Sequence, residues 1–310
     1  MPDRLRGLIP ATYTPLRPDG VIDLDAIAPL TEQLLDDGVT GLYVCGSTGE
    51  GVSLSVPERK QVAEAFVAAA NGRVPVMVHV GHDSLTEAAG LAVHAAKIGA
   101  DVLSAMPPCY FPIRDAEALV QSCAAIAAAA PELPFYYYHI PVMTGVAVDM
   151  VDFLRLAGDR IPSFAGLKYT ASTIHEYQEC VAFDGGRFDV LYGHDELLLP
   201  ALAVGARGAV GSTYNFAVPL YRRIIEAYEA GDIETARREQ LRAVTMIRVL
   251  LQFPFHPASK VVMGMIGRPC GDCRPPLPAL KGEQRARLRE ALDAIGFFAW
   301  SRPGKAAAAR

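Results

Sequence analysis

The sequence predicts an α/β protein, a (β/α)8 TIM barrel carrying a helical C-terminal extension. Three observations predict it. Short β-type runs alternate with longer helical patterns eight times. Several of these runs are apolar almost throughout, as strands covered on both faces of a parallel sheet are. After the eighth the pattern is purely helical. The 310 residues are 51% hydrophobic and 20% charged, which excludes a disordered chain or a coiled coil. An open doubly wound sheet would ask for a glycine-rich dinucleotide turn after the first strand. Ala11-Thr-Tyr-Thr-Pro15 is no such turn, and no Walker A motif is present.

In chain order the strands are expected at residues 7–14, 41–47, 75–81, 101–106, 134–140, 164–169, 189–193 and 208–212. Helical stretches between them include 56–70 and 85–98. Each of these two opens on a capping box, Ser55-x-x-Glu58 and Ser84-x-x-Glu87, whose side chains satisfy the first free N–H groups. Gly38, Gly72, Gly99 and Gly205 are expected as C-terminal caps. The chain divides into a barrel over 1–220, a helical extension over 221–303, and a low-complexity flexible tail over 304–310.

The balance of 29 basic against 34 acidic residues gives a net charge of −5, with no basic stripe. Nucleic acid and anionic membrane are therefore not the expected partners. No window approaches a membrane span, and the N-terminus has no apolar leader, so a cytoplasmic location is expected. Six scattered cysteines fit free thiols in a reducing compartment. Cys270-x-x-Cys273 has a spacing that can chelate zinc or cycle as a disulfide, but neither a second such pair nor a nearby histidine completes a zinc site. His79-x-x-His82 likewise lacks a third ligand, and no metal site is expected.

In a barrel of this kind chemistry sits at the C-terminal ends of the strands. Of six lysines, at 60, 97, 168, 260, 281 and 305, only Lys168 ends an apolar strand. Taking an ammonium out of water favours the free amine, which can attack a carbonyl. A lysine paired with a carboxylate at the barrel mouth is the alternative, and position alone leaves both open. Gly46-Ser-Thr-Gly-Glu-Gly51 offers hydroxyls and amides that could hold a carboxylate or phosphate, or could merely cap a helix. By strand alternation Tyr138 points into the barrel and Tyr137 against the helices. Asp195 and Glu196 could bind sugar hydroxyls or a metal, or simply begin a helix.

The strings GLYVCGSTGEG, YYYHIPVMTGV, GLKYT and YGHDELLLPALAVGARGAVGSTYN, with the opening Gly7-Leu-Ile-Pro-Ala-Thr-Tyr-Thr-Pro15, together resemble the N-acetylneuraminate lyase branch of the lyase/dihydrodipicolinate synthase superfamily. The resemblance implies a Schiff base between Lys168 and a 2-keto acid, with Tyr138 shuttling protons and Ser47 and Thr48 holding the carboxylate. It implies that Tyr110 is lent across a subunit interface, hence a homotetramer built as a dimer of dimers. Met143 stands where dihydrodipicolinate synthases place an arginine for a second carboxylate. Gly193, Asp195, Glu196 and Ser212 match the positions that bind the polyol tail, and Thr170 a further polar contact. Three departures mark the chain: Cys109 where an aromatic is commoner, His194 in the variable place, and a poorly matched segment 253–257.

The resemblance thus implies a class I pyruvate aldolase that cleaves N-acetylneuraminate to pyruvate and N-acetylmannosamine, taking a small keto acid or sugar acid and no cofactor. The rivals are another Schiff-base enzyme of the superfamily, such as a 2-keto-3-deoxy sugar acid aldolase or dehydratase or a dihydrodipicolinate synthase-like enzyme, and a non-catalytic keto-acid-binding barrel.

Overall fold

A computed structural model describes residues 5–301; the tail at 304–310 lies outside the described residues. Eight strands form one parallel sheet: β1 Gly7–Pro10, β2 Leu42–Val44, β3 Val76–His79, β4 Val102–Ala105, β5 Phe135–His139, β6 Phe164–Tyr169, β7 Asp189–Tyr192 and β8 Gly208–Gly211. Their order is β1-β8-β7-β6-β5-β4-β3-β2. The ring closes between β1 and β2 through a parallel bridge from Ala11 to Tyr43, with the Thr12 N–H donating to the Tyr43 carbonyl at 2.9 Å. Every strand falls inside the run that predicts it, and most are shorter than that run. The chain is the (β/α)8 barrel expected.

Helices follow the strands: α1 Ile27–Asp36, α2 Val56–Ala70, α3 Leu85–Lys97, α4 Ala116–Ala127, the single turn α5 Pro141–Thr144, α6 Met150–Arg160, α7 Ile174–Gly186, α8 Leu198–Ala203 and α9 Val218–Glu229. Beyond them lie α10 Ile233–Leu250, α11 Phe255–Met265, α12 Gly282–Ala294 and the short α13 Phe297–Trp300. The division expected near residue 220 falls within α9. Ser55 and Glu58 form the full capping box of α2. At α3 only half of one forms: Ser84 accepts from the Glu87 N–H, but its own N–H donates to His82 Nδ1 at 2.9 Å, leaving Glu87 nothing to reach back to. Gly38, Gly72, Gly99 and Gly205 all have positive φ, the backbone such helix ends require.

Alternation along the strands sorts side chains between two cores. Ile9, Tyr43, Met77, Tyr136, Tyr138, Leu191 and Val210 fill the barrel interior, whereas Tyr137, Leu167 and Tyr169 pack outward under the helices. The extension does not merely trail. The segment after α11 returns to the mouth, where the Leu16 N–H donates to the Cys270 carbonyl at 3.1 Å and the Arg274 guanidinium reaches the Gly20 carbonyl and Glu58. Among the described residues no helix is long and apolar enough to cross a membrane.

Candidate active site

Lys168 and Tyr138 are register partners on adjacent strands, so β6 and β5 turn both side chains into the barrel near its C-terminal end. Lys168 Nζ lies 3.8 Å from the Tyr138 ring centre and 4.0 Å from that of Tyr43. The residue is 3% exposed, and among the described residues no carboxylate forms an ion pair with it. Burial pushes its ammonium down from 10.5 to about 7, with the nearby Asp195 charge opposing the shift. Near neutral pH much of this lysine is therefore a free amine. The Tyr138 hydroxyl stands 3.5 Å from Ser47 Oγ. Burial raises it to about 12, against the pull of the Ser47 and Thr170 hydroxyls. Thr170 Oγ1 is buried beside it.

The Ser47–Thr48 turn is tightly constrained. Gly51 N–H donates to the Gly46 carbonyl and Thr14 Oγ1 to the Gly49 carbonyl. A Cβ on Gly51 would lie 1.9 Å from the Cys45 carbonyl oxygen, so only glycine lets the turn close. Across the mouth, Thr48 Oγ1 and Ser212 Oγ are 2.6 Å apart. Gly193 has a comparable reason: a Cβ there would meet Thr170 Oγ1 at 1.9 Å.

Asp195 and Glu196 are placed unequally. Asp195 is buried, and its Oδ2 accepts from both the N–H (2.8 Å) and Oγ1 (2.5 Å) of Thr213. Burial still raises its carboxyl to about 6. Glu196 is partly open, its side chain 38% exposed and Oε1 3.6 Å from His194 Nδ1. Burial works against its charge, but His194 and a backbone N–H hold it below the usual carboxylate range. One oxygen of the pair is thus committed to the scaffold, and the freer carboxylate is Glu196.

These groups line one cavity of about 230 Å³ with a small polar floor and an apolar roof. The roof comes from the extension: Ile247 and Leu251 at the end of α10, Phe255 and His256 at the start of α11. Burial keeps the His256 imidazole below its ordinary range. Ser47, Met143 and His256 also border a second cavity of about 440 Å³ beneath the loops after β2, β3 and β4. Sequence reasoning missed the roof and Tyr43. A tyrosine one residue into an apolar strand carries no signal of its own until β6 is placed opposite.

Of the residues the sequence singles out, Lys168, Tyr138, Ser47, Thr48, Thr170, Gly193, Asp195, Glu196 and Ser212 all line the first cavity. Tyr110 does not. It is 79% exposed on the loop after β4, edge-on to Phe111, with its N–H and that of Cys109 donating to Asp83 Oδ1. Among the described residues no cluster of three or more histidine, cysteine or acidic side chains is spaced to hold a metal ion.

The chain matches the dihydrodipicolinate synthetase family over residues 4–295. It is 39% identical to the N-acetylneuraminate lyase of Mus musculus over 300 residues, 95% of this chain and 94% of that protein. Among solved structures, the Proteus mirabilis N-acetylneuraminate lyase superposes with a TM-score of 0.93 at 39% identity, covering 95% of this chain and 100% of that one. The N-acetylneuraminate lyase (sialic acid aldolase) of Aliivibrio salmonicida gives 0.92 at 42% identity, covering 95% and 98%. The chain is a lyase that belongs to the dihydrodipicolinate synthetase family, in its N-acetylneuraminate lyase branch.

Proposed function

We propose that the enzyme is a class I aldolase that cleaves N-acetylneuraminate to pyruvate and N-acetylmannosamine. One observation carries the chemistry: Lys168 is buried against two aromatic faces, with no carboxylate paired to it among the described residues. The free amine adds to C2 of the open-chain sugar acid and loses water to give a protonated imine. The Tyr43 and Tyr138 rings suit that cation, because their faces are electron-rich. The C3–C4 bond then breaks, its electron pair moving into the imine to form an enamine, while the C4 hydroxyl loses its proton. A phenol held neutral at pH 7 acts here as a relay. Tyr138 accepts the C4 proton as it passes its own to the substrate carboxylate, which sits on Ser47 and Thr48. Protonation at C3 and hydrolysis release pyruvate. The imine supplies the electron sink, so these steps need no metal or organic cofactor.

Thr170, Gly193, Glu196 and Ser212 face the sugar tail, with Asp195 behind them; ionised carboxylates accept hydrogen bonds and hydroxyls donate them. Met143, where a cation would be needed for a second substrate carboxylate, supports a polyol substrate. The exposed Tyr110 supports an assembly in which a partner subunit covers this rim, and we expect a dimer of dimers. Sedimentation at micromolar concentration checks it, and a fully active monomer refutes it. The six unbonded cysteines suit a reducing compartment such as the cytoplasm. Borohydride reduction in the presence of pyruvate should add a reduced pyruvyl mass to the peptide containing Gly166-Leu-Lys-Tyr169. Lys168→Arg should stay folded and take up no label, since a guanidinium stays protonated. Label on another lysine sinks the mechanism; faster turnover of six-carbon keto-deoxy acids than of N-acetylneuraminate sinks the substrate.

A further inference from the structure

A second lysine is as deeply buried as Lys168. Lys260, on α11, is 2% exposed, and its Nζ lies 2.6 Å from Glu50 Oε1. It also donates to the Asp272 carbonyl at 3.2 Å. The other carboxylate oxygen, Glu50 Oε2, accepts from the Arg274 N–H at 2.8 Å. Glu50 is the penultimate residue of the Gly46–Gly51 turn and has φ +54° and ψ +29°, a left-handed backbone that costs a non-glycine residue free energy and persists only where the surroundings impose it. Lys260 stands one helical turn after His256, which roofs the catalytic cavity. A single buried ion pair therefore joins the turn under the keto-acid carboxylate to the helix over the rest of the substrate.

We infer that Glu50 and Lys260 are positioning residues, which set the spacing between the carboxylate-holding turn and the α11 roof. The inference rests on the imine chemistry proposed for Lys168. Neither residue touches the reacting atoms; Glu50 acts through the turn and Lys260 through α11.

Removing one charge alone would strand the other in the interior, so the informative variant removes both: Glu50→Gln with Lys260→Met. The readout is the pyruvate concentration that half-saturates borohydride labelling of Lys168. The double variant should keep a cooperative melt yet need about tenfold more pyruvate, because small displacements of a positioning turn are costly. A folded double variant with unchanged half-saturation overturns the inference. Should the variant not fold, the wild-type enzyme decides: pyruvate reduced onto Lys168 should slow hydrogen exchange at the Arg274 amide and leave α12 unaltered. An unaltered Arg274 amide overturns the inference equally. Failure of the wild type to label at Lys168 is a different result, and removes the imine mechanism itself.

Discussion

Lys168 and Lys260 are both buried lysines at the same mouth, and their surroundings make them opposites. Lys168 faces two tyrosine rings and, among the described residues, no carboxylate pairs with it. Lys260 is ion-paired with a carboxylate and donates to a carbonyl. The ammonium of an ion pair has no lone pair to offer a carbonyl carbon, however well shielded from water. Burial without a partner makes a nucleophile; burial with a partner makes a strut. The difference lies in what the opposing strand or loop supplies: β2 and β5 bring aromatic faces, and the Ser47–Thr48 turn brings Glu50.

The largest expected effects come from truncating each lysine to methionine. Lys168→Met should abolish pyruvate labelling and turnover while keeping the fold. It should also raise the melting temperature in acid. Below about pH 7 the wild type must bury a charged ammonium that the unfolded chain keeps in water, whereas above 10.5 the amine is neutral in both states and the gain vanishes. Lys260→Met should do the reverse, losing about 3–5 kcal/mol of stability by leaving the Glu50 carboxylate unpaired. Thermal melts at pH 5 and pH 9 check both. If the two variants melt alike, the contrast between nucleophile and strut is wrong.

That contrast was half legible in the sequence. Lys168 stands out because it ends an apolar strand, and Tyr138 follows from simple alternation along β5. The hydroxyls at 47 and 48 could be gathered because they lie just past a strand, and barrels bring strand ends together, whereas those at 170 and 212 come from the family resemblance. Lys260 could only be grouped with the C-terminal lysines. Its partner is 210 positions away in sequence, and no local periodicity encodes an ion pair closed by a returning helix. The same applies to Ile247, Leu251, Phe255 and His256, whose helical pattern announces a buried face without saying what it covers. Ser84 shows the local version of this failure, where a nearby His82 captures the N–H that the capping pattern assigns to Glu87.

Next in size is Tyr138→Phe. The ring against Lys168 is kept and only the hydroxyl is lost, so labelling by pyruvate should survive. Turnover should fall roughly 10²–10⁴-fold, the usual worth of a positioned proton-transfer group. Loss of labelling in parallel with turnover would mean that the hydroxyl, and not the ring, governs the lysine.

A hundredfold effect is expected from pH alone. With Lys168 titrating at about 7, the rate of imine formation at low pyruvate should rise about tenfold per unit between pH 5 and pH 7, then level off. A profile still climbing at pH 9 would place Lys168 in the same charged condition as a surface lysine and remove the reason to read it as the nucleophile.

The smallest effects separate the two carboxylates. Glu196 is partly exposed at the cavity, so Glu196→Gln should lower kcat/KM about tenfold on the nine-carbon substrate, near the lower end for a hydrogen bond to a charged group. Six-carbon keto-deoxy acids, too short to reach it, should be little affected. Asp195 is committed to Thr213 and acts on Lys168 through its charge, which holds the lysine's titration higher than burial alone would. Asp195→Asn should therefore move the midpoint of imine formation to lower pH and affect both substrate lengths alike. A midpoint that stays in place, with loss confined to the nine-carbon substrate, would show Asp195 reading the sugar tail beside Glu196 and leave Lys168 tuned by burial alone.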